Sequence, residues 1–254
     1  MGAQRLLISD IDGTLLGDVE AAERFRSWFD GERHRWRLAY ATGRTIDSVM
    51  GLVADGELVA PDAIVSSVGT EIHDAVGAAW PGWPPSGPAW DRDLVLETID
   101  AIPGVVAQPA SSQSAVKASY HAVDLSPRAL DDIRRRLSAA GLTTTLVYSS
   151  ERDLDVLPAW GGKSRAARFL ATAWGSTPDD VIACGDSGND LDLLASGVHA
   201  VVVGNAGREL AGLRGPRIYR AQRRFADGVL EGIRHWETRP PLIPIRAAAL
   251  ATGS

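Results

Sequence analysis

The sequence predicts an α/β fold in which helices cover a parallel sheet and a smaller α+β block interrupts the core. Short apolar runs alternate with amphipathic stretches from Arg5 onward and again from Lys163, the pattern of strands joined by crossover helices. Between them, residues 81–90 (PGWPPSGPAW) concentrate proline and glycine in a segment that continues neither a regular helix nor a central strand. The length of 254 residues exceeds the roughly 100–200 of a typical domain and leaves room for such an insertion. The expected division is a core over 1–79, an inserted block over 80–157 and the rest of the core over 158–254. The last stretch, RPPLIPIRAAALATGS, has tandem prolines and no amphipathic period, and is expected to be a mobile tail.

In chain order, Arg5–Ser9 (RLLIS) suits a buried strand, and Glu20–Asp30 sets Ala22, Phe25 and Phe29 on one helical face. Leu38–Ala41 is the next strand, Ile46–Leu58 the next helix and Ala63–Ser67 the third strand. Beyond the proline-rich stretch come a helix at Asp91–Ile102, a strand at Ala115–Val123, a helix at Ser126–Ala140, and strands at Leu142–Ser149 and Leu154–Leu157. Ser126 as N-cap, Pro127 at the first helical position and Gly141 after the last turn mark the second of these helices. After Gly161-Gly162 the core resumes with a helix at Lys163–Trp174, a strand at Val181–Cys184, a helix at Ser187–Leu194 and a strand at Ala200–Val203.

Composition narrows the function classes. A formal net charge of -6 gives no general pull toward nucleic acid or anionic lipid. No stretch reaches the roughly 18 apolar residues of a membrane span, so neither nucleic acid nor membrane is expected as a partner and the chain reads as cytoplasmic. Cys184 is the only cysteine, which excludes an internal disulfide and a cysteine metal cage. The many aspartates favour a hard cation such as magnesium.

The chemistry gathers where apolar runs end. Asp10-Ile11-Asp12-Gly13-Thr14 puts two carboxylates directly beyond a strand, where parallel sheets open their ligand crevice; taken alone, Asp12-Gly13 is equally a turn. Cys184-Gly185-Asp186-Ser187-Gly188-Asn189-Asp190 repeats the arrangement, although Asp190 by itself also suits the first turn of a helix. Two acidic strand ends meeting at one sheet edge would raise each other's pKa unless a divalent cation neutralised them. Thr42-Gly43-Arg44 follows another strand and precedes a helix, so the Thr42 hydroxyl and nearby backbone N–H groups suit either a phosphate or a plain helix cap. Lys163 stands at a helix start, an unfavourable place for a cation without an anion beside it.

These segments resemble the four motifs of the haloacid-dehalogenase superfamily of phosphatases, in the same order: Asp10–Thr14, Thr42, Lys163 and Asp186–Asp190. The resemblance narrows to sucrose-phosphate phosphatases through Val68-Gly69-Thr70-Glu71-Ile72, Lys117-Ala118-Ser119-Tyr120-His121, Asp153-Leu154-Asp155-Val156-Leu157-Pro158 and residues 224–232 (RFADGVLEG). It implies a Rossmann-like core with an inserted α+β cap. It also implies Asp10 as nucleophile, and Asp12 as the acid that protonates the leaving sugar oxygen and then activates water. Magnesium would be held by Asp10, Asp186 and the Asp12 carbonyl, with Thr42 and Lys163 on the transferring phosphoryl group and Asn189 and Asp190 in support behind them.

For the sugar, the resemblance offers Glu71, Lys117, Tyr120 and His121, with Gly43 and Arg44 beside the phosphate. Tyr120 and His121 point to opposite faces of a strand, so at most one of the two faces a pocket. Trp83 and Trp90 are candidates for stacking on a sugar and equally for packing. The implied substrate is a phosphorylated sugar, sucrose-6-phosphate foremost, made by a sugar-phosphate synthase acting upstream. A mannosylfructose-, trehalose- or other glycosyl-phosphate phosphatase keeps the same mechanism. A phosphosugar mutase would return the phosphoryl group to sugar instead of water.

Overall fold

The computed structural model describes residues 4–87 and 89–238. The tail expected to be mobile, 239–254, lies outside the described residues. The core is a seven-stranded sheet whose centre is β1 (Arg5–Ser9). On one side of it lie β2 (Trp36–Ala41), β3 (Ala63–Ser66) and β4 (Glu71–Asp74). On the other lie β9 (Val181–Gly185), β10 (His199–Val202) and β11 (Ile218–Arg220). All neighbours run parallel except β3 and β4, whose antiparallel pairing joins Ser66 to Glu71 across a tight turn. The chain winds outward from β1 in both directions, so the strand order reverses between β1 and β9, the place where such sheets bind ligands.

Strand side chains alternate between two apolar layers. Leu7, Ile182, Cys184 and Val201 pack on one face against α1 (Val19–Glu32), α2 (Ile46–Ala54) and α7 (Phe225–Thr238). Leu6, Ile8, Ala183 and Val202 pack on the other against α5 (Lys163–Ala173) and α6 (Leu191–Leu194). Burial on both faces is why these strands read as unbroken apolar runs. Asp18 caps α1 by accepting the Ala21 N–H, and Phe25 and Phe29 are buried as the helical period requires.

A separate antiparallel sheet has the order β5 (Val106–Ala107), β6 (Ala118–His121), β8 (Asp153–Pro158), β7 (Thr144–Ser149). One face is covered by α3 (Arg92–Asp100) and α4 (Pro127–Ala139), which bury Val95, Ile99, Ile133 and Leu137 against Tyr120, Leu154 and Val156. The other face carries Ser119, His121, Asp153 and Asp155, which lie opposite one another in register.

Several boundaries differ from the sequence pattern. The helix expected to reach Leu58 stops at Ala54, because Gly56 takes a φ of 74° and the Leu58 N–H returns to the Leu52 carbonyl. The helix expected over Ser187–Leu194 is a 3-10 turn at Gly188–Asp190 followed by one turn of α6. The strand expected over Ala115–Val123 shortens to Ala118–His121. The elements β4, β5, β11 and α7 come in addition to those expected.

Two glycines give opposite expectations for stability. A Cβ on Gly232, inside α7, would lie 2.3 Å from Val201 Cγ2, so Gly232→Ala should destabilise the chain by about 1–3 kcal/mol despite its better helix propensity. A Cβ on Gly31, inside α1, meets nothing within 4 Å. Gly31→Ala should stabilise by up to about 1 kcal/mol. Urea unfolding midpoints of the two variants should therefore move in opposite directions.

Candidate active site

Three strand ends converge. Asp10 follows β1 and donates its N–H to the Cys184 carbonyl of β9 at 3.0 Å, Thr42 follows β2, and Asp186 follows β9. At their centre lies Lys163, the first residue of α5, with no exposed surface. Its ammonium donates to Asp10 Oδ1 at 2.8 Å, Asn189 Oδ1 at 2.7 Å and Asp190 Oδ1 at 2.7 Å, which matches the three protons it carries. Asp10 Oδ2 has no hydrogen-bond partner among the described residues and Asp10 lines the open cleft.

Asp190 is fully engaged by the protein. Its Oδ2 accepts the N–H groups of Asp186 (3.0 Å) and Ser187 (3.1 Å) while Oδ1 accepts Lys163. With the Ser187 side chain it forms a capping box that starts the Gly188–Asp190 turn leading into α6. Asp186 Oδ1 accepts the Thr14 hydroxyl at 3.2 Å. Its Oδ2 would lie 2.3 Å from a Cβ on Gly13, whose φ of 77° also favours glycine. Gly13 is fixed in turn by Asn205, whose amide donates to the Gly13 carbonyl at 2.7 Å.

The electrostatics follow from burial. Burial pushes the Asp10 carboxyl well above its usual range against the pull of Lys163, and Asp190 and Asp186 add to the push. Asp186 is pushed up to about 7, first by burial and then by the charge of Asp190. Burial would lower the Lys163 pKa, but the Asp10 and Asp190 carboxylates overcome it and hold the ammonium protonated. Carboxylate oxygens of Asp10, Asp186 and Asp190 lie within 4.8 Å of one another. An all-oxygen cluster that resists ionisation beside a position too crowded for a Cβ fits a hard divalent cation. Because Asp190 is saturated by internal hydrogen bonds, Asp10 and Asp186 are the carboxylates best able to hold it.

Thr42 is fully buried, accepts the Arg44 N–H on its hydroxyl at 3.2 Å, and receives the Val68 N–H on its carbonyl at 2.9 Å. Arg44 pairs with Asp12 through two bonds of 2.7 Å, a fork geometry that orients both groups. The Val68-Gly69-Thr70 segment braces the site from below. A Cβ on Gly69, at φ 83°, would lie 2.3 Å from the Gly162 carbonyl, so only glycine lets this turn press against the residue preceding Lys163.

A cleft of about 1030 Å³ separates these groups from the polar face of the smaller sheet. Lys117, almost wholly buried, reaches across to donate to the Gly43 carbonyl at 3.1 Å, with Asp155 Oδ1 at 3.7 Å. His121 Nδ1 lies 3.1 Å from Asp153 Oδ1, which also accepts the Gln108 amide at 3.0 Å.

Of the sequence-nominated residues, Asp10, Asp12, Thr42, Gly43, Arg44, Lys117, His121 and Asn189 line this cleft. Lys163, Asp186 and Asp190 are not part of its lining; Lys163 joins it through its bonds to Asp10 and Asn189, Asp190 stands behind Lys163, and Asp186 is bonded to Thr14. Tyr120 and Glu71 lie elsewhere. The Tyr120 ring is fully buried in the apolar layer beneath α3 and α4, because β6 alternates and His121 takes the cleft side. The Glu71 carboxylate accepts the hydroxyls of Ser66 (3.2 Å) and Ser67 (2.8 Å). Trp83 donates to the Thr70 carbonyl and packs edge-on against Trp160, while Trp90 donates to the Ala115 carbonyl. Both are anchors. Gln108, Arg152, Asp153 and Asp155 line the cleft without having been nominated. The signal for the last two was present: Asp153 and Asp155 stand two apart in an apolar strand, which places both on one face.

The model of the sucrose-6F-phosphate phosphohydrolase family matches residues 3–237 of this chain. A mannosylfructose-phosphate phosphatase of Agrobacterium fabrum is 34% identical over 245 residues, spanning 93% of this chain and 98% of that protein. Sucrose-phosphatase 1 of Nicotiana tabacum is 30% identical over 260 residues, spanning 95% of this chain but only 61% of that protein. The X-ray structure of the sucrose-phosphatase from Synechocystis sp. PCC6803 in complex with sucrose and phosphate superposes with a TM-score of 0.82 at 31% identity, covering 93% of this chain and 99% of that one.

The raised Asp186 carboxyl gives a signed expectation. Its folded pKa lies above the ordinary value, so the metal-free fold binds more protons than the unfolded chain and loses this contribution as pH rises through about 7. A cation must displace that proton, so apparent magnesium affinity should fall roughly tenfold per pH unit below the folded pKa. The rise in Tm on adding magnesium should be larger at pH 8 than at pH 6, and Asp186→Asn should shrink the difference, leaving the part that Asp10 contributes. An equal rise at both pH values would contradict this reading of the cluster.

Proposed function

The chain belongs to the sucrose-6F-phosphate phosphohydrolase family, within the haloacid-dehalogenase superfamily, and from that membership we propose that it hydrolyses sucrose-6-phosphate to sucrose and phosphate. The observation that carries the proposal is the two-ended cleft. Asp10 and Asp12 stand at one end and Lys117, His121, Asp153 and Asp155 at the other, across a volume of about 1030 Å³, ample for a phosphorylated two-ring sugar. The inserted block over 80–157 acts in this reading as the cap that selects the sugar.

Asp10 attacks phosphorus through a carboxylate oxygen while Lys163 fixes its other oxygen, and the bond from phosphorus to the sugar oxygen breaks. Asp12 gives its proton to that leaving oxygen. It then takes a proton from the water that attacks the aspartyl-phosphate, releasing phosphate and restoring Asp10. For Asp12 to serve, Arg44 must exchange part of its fork for the incoming phosphoryl oxygens, which its position at the cleft wall permits. Asp10, Asp186 and the Asp12 carbonyl would hold magnesium, which would neutralise charge on the phosphoryl group. Thr42, with Gly43 and Arg44, grips the phosphate, and Asn189 and Asp190 hold Lys163 in place.

A second reading, mannosylfructose-phosphate, is favoured by the 34% identity to a phosphatase of that name along 98% of its length. Both substrates join a second sugar to a phosphorylated fructose, and both call for a sugar-phosphate synthase acting upstream. A mutase is not favoured, since the matched relatives are hydrolases.

Phosphate release should show kcat/KM for sucrose-6-phosphate at least about tenfold above that for glucose-6-phosphate or fructose-6-phosphate, since each lost hydrogen bond to a buried polar site costs about 1–3 kcal/mol. Equal values would remove the disaccharide from the proposal and leave the phosphatase. A preference for mannosylfructose-phosphate would establish the second reading. Asp10→Asn should remain folded and lose turnover, because the amide is a poor nucleophile; phosphate release by that variant at the wild-type rate would exclude Asp10 as nucleophile. Lys117→Ala should impair the disaccharide phosphate more than p-nitrophenyl phosphate, and an equal loss on both would place Lys117 outside sugar recognition.

A further inference from the structure

The cap and the catalytic loop meet at one carboxylate that the reaction itself does not use. Glu209 sits in a 3-10 turn at Arg208–Leu210, beyond β10. Its Oε1 accepts two backbone N–H groups at once: that of Ser150, at the tip of the β7–β8 turn of the cap, at 2.8 Å, and that of Gly188, in the core loop, at 3.1 Å. Both partners matter to the cleft. Ser149, Ser150 and Arg152 of the turn line it, and Gly188 immediately precedes Asn189 and Asp190, which hold Lys163.

Two further features show that the join is built. The turn has left-handed residues at both central positions, Ser150 at φ 55° and Glu151 at φ 51°, a conformation that hairpins normally give to Asn-Gly. Held by non-glycine residues, it needs support: within the cap the Asp124 N–H donates to the Glu151 carbonyl at 2.8 Å, and from the core the Glu209 carboxylate accepts the Ser150 N–H. A Cβ on Gly188 would lie 2.5 Å from the Tyr148 carbonyl and 3.1 Å from Ser149 Cα. The cap backbone therefore seats directly on the catalytic loop where that loop has no side chain.

We propose that Glu209 is a positioning residue that clasps the cap's β7–β8 turn to the Gly188–Asp190 loop, so that the loop supporting Lys163 is fully ordered only when the cap is seated. The proposal rests on the phosphatase reading above for its kinetic consequence but not for its structural one. A carboxylate shared between two amides couples them: freeing one N–H changes what the other can bind.

The test compares Glu209→Ala, which removes the acceptor, with Glu209→Gln, which keeps an Oε1 acceptor, in the full magnesium-loaded chain. Amide hydrogen exchange should quicken at least tenfold in both 146–152 and 187–190 for Glu209→Ala and stay within about threefold of wild type for Glu209→Gln. Quickening of one segment without the other, or of neither, overturns the clasp. Quickening along the entire chain makes Glu209 a general stability residue and overturns it too. In kinetics, Glu209→Ala should lose about tenfold more kcat/KM on sucrose-6-phosphate than on p-nitrophenyl phosphate, with Glu209→Gln restoring most of it. Equal losses on the two substrates, or no rescue by glutamine, count against the coupling. If the wild-type chain releases no phosphate from either disaccharide phosphate, the substrate reading fails, and the exchange data still decide the clasp.

Discussion

An ammonium with no exposed surface has to be matched by fixed acceptors, and the need to satisfy Lys163 organises the rest of this site. Its three donors are used by Asp10, Asn189 and Asp190, so the loops that follow β1 and β9 must come together around the start of α5. Leaving such a charge uncompensated costs several kcal/mol. The loop geometry is therefore tied to the stability of the whole core. Asp190 shows the tie most directly, since the same carboxylate that accepts from Lys163 also accepts two N–H groups of its own loop. Moving Lys163 would strip Asp190 Oδ1 of its donor while Oδ2 still holds the turn that carries Asp186.

The same constraint explains why the surroundings of the site are so closely packed. Gly162 precedes Lys163, and Gly69 presses on it from a turn whose N–H groups are taken by the carbonyls of Thr42 and Arg44. The loop that carries Thr42 is thus braced by the same turn that positions Lys163. The Thr42 hydroxyl and the Lys163 ammonium, which the proposed reaction assigns to the phosphoryl group, are set relative to each other by backbone contacts, which vary less than side-chain rotamers do.

How much of this was legible in the sequence depends on the kind of signal. Strand ends that run into Asp, Thr or Gly were readable because a doubly buried strand is an unbroken apolar run, and Asp10, Thr42 and Asp186 each follow one. Alternation in β6 already said that Tyr120 and His121 could not both face the cleft, and the apolar layer claims Tyr120. Glu71 was not readable, because its use by Ser66 and Ser67 depends on the turn into β4, an antiparallel strand with no strong period of its own. Asp155 falls within a segment that carries the family resemblance and within an expected strand, but its place in the cleft needs the register that sets Ser119 opposite it and Lys117 beside it. Glu209 carries no local signal at all. Its role comes from two amides, one some 60 residues and one some 20 residues away, and neither amide has a sequence signature.

The charge balance at the strand ends explains why the fold tolerates so many acids in one place. Among the described residues, the cations hydrogen-bonded to the group Asp10, Asp12, Asp186 and Asp190 are Lys163 and Arg44, which leaves a surplus of two negative charges within this cluster when every member is ionised. Two remedies exist: protons on the most buried carboxylates, or one divalent cation. The upward shifts of Asp10 and Asp186 are the first remedy, and they fall on the two carboxylates that the internal hydrogen bonds leave available. The second remedy frees those same oxygens from protons, which a nucleophilic carboxylate requires, and offsets the repulsion that an arriving phosphate dianion would meet. In the proposed reaction one cation would thus do both: offset the charge of the arriving phosphate and keep the Asp10 carboxylate ionised.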